Sequence, residues 1–154
     1  MTKAFRDRLS RLLGRNPAQM QVAALCRSRQ DGKVLLVTSR GTGRWIVPKG
    51  WPMPGRTLAD AALQEAWEEA GVLGTIGQDP IGSYHYDKVQ DLGFSVPVEV
   101  RVYLLDVESL ADDWLESGQR KRRWFEPARA AELVAETGLK RLLAGMVPAG
   151  GSPA

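Results

Sequence analysis

Glu65, Glu68 and Glu69 fall within the stretch GWPMPGRTLADAALQEAWEEAGV, residues 50 to 72, where one helix must present three carboxylates within about a turn. That helix has a signal at each end. Thr57, three residues before Asp60, has the spacing of a capping box, and Gly71 suits a left-handed C-terminal cap, so the helix is expected over residues 58 to 70. Leu63, Ala66, Trp67 and Ala70 supply a face to bury and leave the acidic stripe to solvent or a ligand. Like charges at this spacing cost roughly 0.2–0.5 kcal/mol per pair. A hard divalent cation, Mg2+ or Mn2+, would reverse that penalty, because it takes carboxylate oxygens and bridges to substrate phosphates. Spacing alone also fits a solvated acidic helix face.

The segment ahead of the helix adds a second constraint. Trp45 to Val47 is a short apolar run ended by Pro48, and Lys49, Gly50 and Gly55 frame a loop containing Pro52 and Pro54. A strand, a Gly/Pro loop and a carboxylate helix therefore follow one another directly. This arrangement resembles the Nudix box: Gly, five residues, Glu, seven residues, Arg-Glu-aliphatic, any residue, Glu-Glu, any residue, Gly-aliphatic. Aligned on Gly50, the chain matches at Glu65, Ala66, Glu68, Glu69, Gly71 and Val72, with Ala66 a small substitute for the aliphatic residue. It departs at Arg56, in place of the first Glu, and at Gln64, in place of the Arg. If those two family residues pair with each other, losing both orphans no buried charge. The stretch LLVTSRGTGRWIVPKG and the later RKRRWF, residues 120 to 125, extend the similarity to the diphosphoinositol polyphosphate phosphohydrolase branch, over about residues 20 to 145.

The resemblance implies an α/β (α+β mixed) fold, the Nudix α/β/α sandwich with a mixed β-sheet. It also implies metal-dependent cleavage of a phosphoanhydride bond in a highly phosphorylated substrate, a diphosphoinositol polyphosphate or a diadenosine polyphosphate. Glu65 and Glu69 are then expected to hold Mg2+ or Mn2+, with Glu68 a third ligand or the group that takes the proton from attacking water. Within the same resemblance, Ser39, Arg40, Arg44, Arg101, Arg120, Arg122 and Lys140 are candidates for gripping phosphates, and Lys49 and the Gly50 loop for orienting them. Arginine suits that task because its planar fork makes bidentate, charge-assisted hydrogen bonds. Arg101 interrupts an apolar strand and must emerge where water or a ligand can satisfy it. Each of these cations taken alone reads first as an ordinary surface residue.

A chain of 154 residues, 44% hydrophobic, closes one core and has no room for a second ordinary domain. One domain is expected over residues 17 to 147, preceded by a basic amphipathic segment and followed by a disordered tail at 148 to 154. In the first segment Phe5, Leu9, Leu12 and Leu13 form a stripe among Lys3, Arg6, Arg8, Arg11 and Arg15, a pattern of a docking helix, a membrane-surface helix or a transit peptide. A single cysteine, Cys26, excludes an internal disulfide and suits a reducing cytoplasm, and its setting in VAALC reads as a buried strand thiol. No run approaches the roughly 20 apolar residues of a membrane span.

Strands are expected at residues 19–26, 34–39, 44–47, 72–86 (broken at Asp79-Pro80), 96–107 and 120–125, and closing helices at 127–136 and 139–146 with Gly138 between them. Val98, Val100, Val102 and Leu104 alternate along the clearest strand.

Other function classes remain. RKRRWF combines cations with aromatic rings that could stack on bases, but Trp124 and Phe125 alternate across a strand, which gives at least one to the core; nucleic acid is not the expected partner. Nucleotide sugars and nucleoside triphosphates are alternative substrates, and a nucleotide sensor without turnover is the reading of another class, left open by Arg56 and Gln64. Trp45, Trp51, Tyr84 and Tyr86 could clamp an adenine. His85 reads as a structural or surface histidine, and one histidine with one cysteine excludes a typical zinc site.

Overall fold

In the computed structural model, residues 19–89 and 93–147 are described. The basic segment at residues 1–16 and the tail at 148–154 lie outside them. The chain runs β1 (Gln19–Ser28), β2 (Val34–Thr38), β3 (Trp45–Ile46), β4 (Lys49–Gly50), α1 (Leu58–Ala70), β5 (Val72–Ile76), β6 (Gly82–Val89), β7 (Ser95–Leu110), β8 (Arg122–Phe125), α2 (Pro127–Leu133) and α3 (Thr137–Ala144).

The strands form one mixed sheet with the path β3-β2-β1-β7-β5; β4 pairs with β1, β6 with β7 and β8 with β2. Among the described strands only β1 and β7 run parallel, in register from Gln19–Val98 to Ser28–Val107. A parallel central pair needs cover on both faces, and the continuous buried run Val22 to Cys26 has the composition for it. One face packs Val22, Ala24, Cys26, Tyr103 and Leu105 under α1. The other packs Ala23, Leu25, Val98, Val100 and Val102 under α2 and α3. The result is the expected α/β/α sandwich around a mixed sheet.

Trp124 and Phe125 pack against opposite faces, as their alternation requires, so both rings of RKRRWF serve the core. Cys26 is fully buried, and burial, helped by the charge of Glu69, pushes its thiol up to about 12.

Helix α1 has the bounds its caps dictate. The Thr57 hydroxyl accepts from the Asp60 N–H, and Gly71 adopts φ 66°. Its buried stripe differs from the expected one. Ala59, Ala62, Ala66 and Ala70 lie against the sheet, Trp67 is 38% exposed, and Glu69 is 3% exposed. Small alanines let the helix approach closely, which turns Glu69 inward and Trp67 outward. The strand expected over 72–86 splits into β5 and β6. Helix α2 ends at Leu133, three residues before the expected 136, while α3 begins at Thr137, two before the expected 139, and ends at Ala144, so Gly138 lies inside α3 rather than between helices. A Cβ there would sit 2.6 Å from the Cβ of Tyr84, so only glycine lets this turn reach β6.

Candidate active site

The site begins where β1 holds the start of the loop. Lys49 and Gly50 pair with Ala23 and Val22, which fixes the loop backbone beside α1. A Cβ on Gly50 would overlap the Glu65 carboxylate, so glycine is what lets that side chain lie on the loop. Glu65 and Glu69 lie one turn apart on α1, and each carboxyl bears on the other's protonation. Burial is the main cause that raises Glu69 to about 8; Arg120 opposes the rise and Glu65 adds to it. Burial raises Glu65 as well.

Glu68 departs from the expected convergence. It accepts a hydrogen bond from Gln64 Nε2 at 3.3 Å, and among the described residues no three His, Cys, Asp or Glu side chains form a ready metal cage. Glu65 and Glu69 nonetheless suit a divalent cation. They present hard oxygen donors one helical turn apart, and burial disfavours two negative charges there unless a cation compensates them.

The loop from Ala111 to Lys121 completes the site; of it the sequence named Arg120, as a phosphate donor, and missed Trp114, Glu116 and the pairing of Arg120 with Glu69. Its Glu116 N–H donates to the Glu68 carbonyl at 3.1 Å, and Trp114 Nε1 donates to the Glu69 carbonyl at 2.8 Å, using carbonyls in the last turn of α1. Arg120 then threads inward. Its Nε donates to Glu116 Oε1 at 3.0 Å, its Nη1 to the Thr38 carbonyl at 3.0 Å, and its Nη2 lies 3.5 Å from Glu69 Oε1. Glu116 is therefore a fourth carboxylate near the cluster, and its charge bears on Glu65. The i,i+4 spacing of Glu116 and Arg120 was the available signal.

The proposed phosphate cations divide into groups. Lys49 lies under the influence of Glu69, with its Nζ 5.4 Å from the Tyr86 ring centre; burial lowers its pKa and Glu69 and Glu136 oppose that. Arg40 lies 3.7 Å from Glu116 and donates to Gln119. Ser39 Oγ accepts from the Arg44 N–H at 3.0 Å, which shapes the turn that carries both arginines, and Arg44 itself is exposed. Arg101 pairs with Glu99 on its own strand at 3.3 Å.

Arg122 and Lys140 have other work. Arg122 donates to the Ala70 and Ala111 carbonyls at 2.7 and 2.6 Å and stacks 3.9 Å from the Trp114 ring centre. Lys140 donates to the Ala131 and Glu132 carbonyls at the end of α2. Of the four possible clamp aromatics, Tyr84 is buried, Tyr86 donates to Gln21, and Trp45 packs edge-on against Phe125. Trp51 is exposed, with Lys88 over its ring. His85 is exposed on β6 opposite Glu99.

A mixed sheet between helical layers, with a loop-helix that gathers carboxylates under an arginine, defines an α/β/α sandwich protein with an acidic site. The NUDIX domain model matches residues 17–146. The chain is 34% identical to the human diphosphoinositol polyphosphate phosphohydrolase NUDT4B, over 96% of this chain and 83% of that protein. It is 38% identical to human diphosphoinositol polyphosphate phosphohydrolase 3-beta, over 74% and 68%. Among solved structures it is similar to a NUDIX hydrolase from Nitrosomonas europaea, with TM-score 0.62 and 25% identity over 84% and 88% of the two chains. The C. elegans Ap4A hydrolase shares the fold, with TM-score 0.60 and 24% identity over 84% and 97%. The chain belongs to the Nudix hydrolase family, and it is a hydrolase of phosphoanhydride bonds. Nudix hydrolases generally use divalent metal ions. Among the described residues no helix is long and apolar enough to cross a membrane.

Proposed function

We propose that the protein is a metal-dependent pyrophosphohydrolase of a highly phosphorylated small molecule, either a diadenosine polyphosphate or a diphosphoinositol polyphosphate. The observation that carries this reading is the pair Glu65 and Glu69, packed against the Gly50 loop and faced by Arg120. Glu65 and Glu69 would hold Mg2+ or Mn2+, with Glu68 or Glu116 within reach as a further carboxylate. When bound, the cation supplies Lewis acidity to the phosphoryl oxygens and lowers the pKa of water at the site.

The chain's own groups then orient and neutralise. Arg120 carries a buried positive charge whose fork is already fixed by Glu116 and the Thr38 carbonyl, so it needs no reorganisation when negative charge develops beside it. Lys49 adds a second cation from the loop. Arg40 and Arg44 project from the turn after β2 and extend the positive field outward, where a chain of phosphates needs donors. Glu68, held through Gln64 rather than drawn into the cluster, is the carboxylate free to take a proton from attacking water. Gln64 thus has a role here that the family's arginine does not imply.

The test is product release from a panel of diadenosine penta- and hexaphosphate, a diphosphoinositol polyphosphate, ADP-ribose and nucleoside triphosphates, with Mg2+ or Mn2+ and with chelator. Cleavage that chelator abolishes is the expected result. Tight binding without turnover of any member would replace the enzyme reading by a sensor.

A further inference from the structure

Among the described residues, one buried side-chain oxygen has no hydrogen-bond partner: Oε2 of Glu136. A buried acceptor left unpaired costs free energy comparable to a lost hydrogen bond, and a carboxylate more, so such an atom asks what donor it waits for. Glu136 is the N-cap of α3, yet its side chain makes no capping bond there. Two features place it at the site. Gly138, two residues on, seats the first turn of α3 on Tyr84, and Lys49 from the box loop lies over Tyr86, two residues further along the same face of β6. The first turn of α3 and Lys49 therefore meet neighbouring residues on one face of β6, and the charge of Glu136 bears on Lys49, Tyr84 and Tyr86.

The chemistry of that oxygen selects among phosphorylated ligands. A phosphate group brings negative charge and acceptors, which a carboxylate repels. Ribose hydroxyls and an exocyclic base amine bring donors. We propose that Glu136 is a specificity-determining residue that receives a hydroxyl or amine donor of a nucleoside, so that the site favours a dinucleoside polyphosphate over a ring phosphorylated at every position. This inference rests on the proposed function above and narrows its substrate class.

The test compares wild type, Glu136→Gln and Glu136→Lys on diadenosine hexaphosphate and on a diphosphoinositol polyphosphate, with kcat and KM measured separately. Hydrogen bonds to charged groups are worth enough that the ratio of kcat/KM, dinucleotide over inositol compound, should fall about tenfold in Glu136→Gln, chiefly through KM. Glu136→Lys should lower it further by favouring the inositol compound. A ratio that stays within twofold of wild type in both variants overturns the proposal, since a merely structural role would depress both substrates together. Should wild type cleave neither compound, the reading of function fails on its own. Equilibrium binding of AMP and of inorganic pyrophosphate then decides this inference: Glu136→Gln must weaken AMP binding and not pyrophosphate binding, and equal effects on both refute it.

Discussion

The guanidinium of Arg120 lies 3.5 Å from Oε1 of Glu69, and the two side chains are 9% and 3% exposed. The same guanidinium is tied to Glu116 and to the Thr38 carbonyl, so one arginine joins the carboxylate helix, the loop before β8 and the end of β2. Removing it leaves two carboxylates and a carbonyl without their donor. Arg120→Ala is expected to cost about 3 kcal/mol of stability, the scale for breaking a buried ion pair. It should also lower kcat/KM by roughly a hundredfold, as for loss of a preorganised donor. Urea unfolding and steady-state kinetics measure the two effects, and Arg120→Lys should recover part of the stability but little of the rate, because an ammonium cannot span three partners.

Glu69→Gln separates chemistry from folding. Glu69 is buried beside Glu65, and the glutamine has the same shape without a charge to desolvate. Turnover should vanish, while the metal-free variant should melt at or above the wild-type temperature. Retained turnover in the purified variant would sink the assignment of Glu69.

Cys26 gives a pH dependence of known sign. Burial holds its thiol at about 12 against 9.0 in the unfolded chain, so the folded state keeps a proton that the unfolded state releases. This contribution is fully present below pH 9.0 and is lost as pH rises toward about 12. Denaturant titrations across that window should show falling stability, and Cys26→Ala should flatten the slope. Native protein at pH 8 should resist iodoacetamide, with labelling appearing only on unfolding.

Some of this architecture is local enough to read from sequence. Helix α1 was legible to the residue because its ends are set by Thr57 bonding Asp60 and by the left-handed Gly71, interactions confined to a few neighbours. Which carboxylates converge was not legible. Glu69 is turned inward by four alanines packing on the sheet, Glu68 is turned aside by Gln64, and Arg120 arrives from a loop more than fifty residues downstream. No periodicity encodes contacts of that range. Counting cations had a similar weakness. Arg122 and Lys140 look like phosphate donors in the sequence, whereas the fold gives their N–H groups to backbone carbonyls at the ends of α1 and α2.

That distinction can be measured with Arg122. Two charge-assisted bonds and the stack on Trp114 hold the end of α1 to the following loop. Arg122→Ala should therefore cost about 2 kcal/mol of stability with KM altered less than twofold at a temperature where the variant is folded. A KM raised tenfold with unchanged stability would return Arg122 to the substrate.

Gly50 tests the loop as a template. Its backbone lies so close to the Glu65 carboxylate that any side chain there must displace one or the other. The backbone pairing with Val22 resists movement of the loop, so the carboxylate is the part that gives way. Displacing a positioned group by about an ångström costs on the order of a hundredfold in rate, and Gly50→Ala should show that loss in kcat. Metal affinity, read by Mn2+ titration, should weaken in parallel because Glu65 is one of the two carboxylates proposed to hold the ion. The fold should survive with little loss, since Gly50 needs no positive φ and lies at the rim of the core. A variant that keeps both wild-type kcat and Mn2+ affinity would show that Glu65 works from another position than the one packed on Gly50.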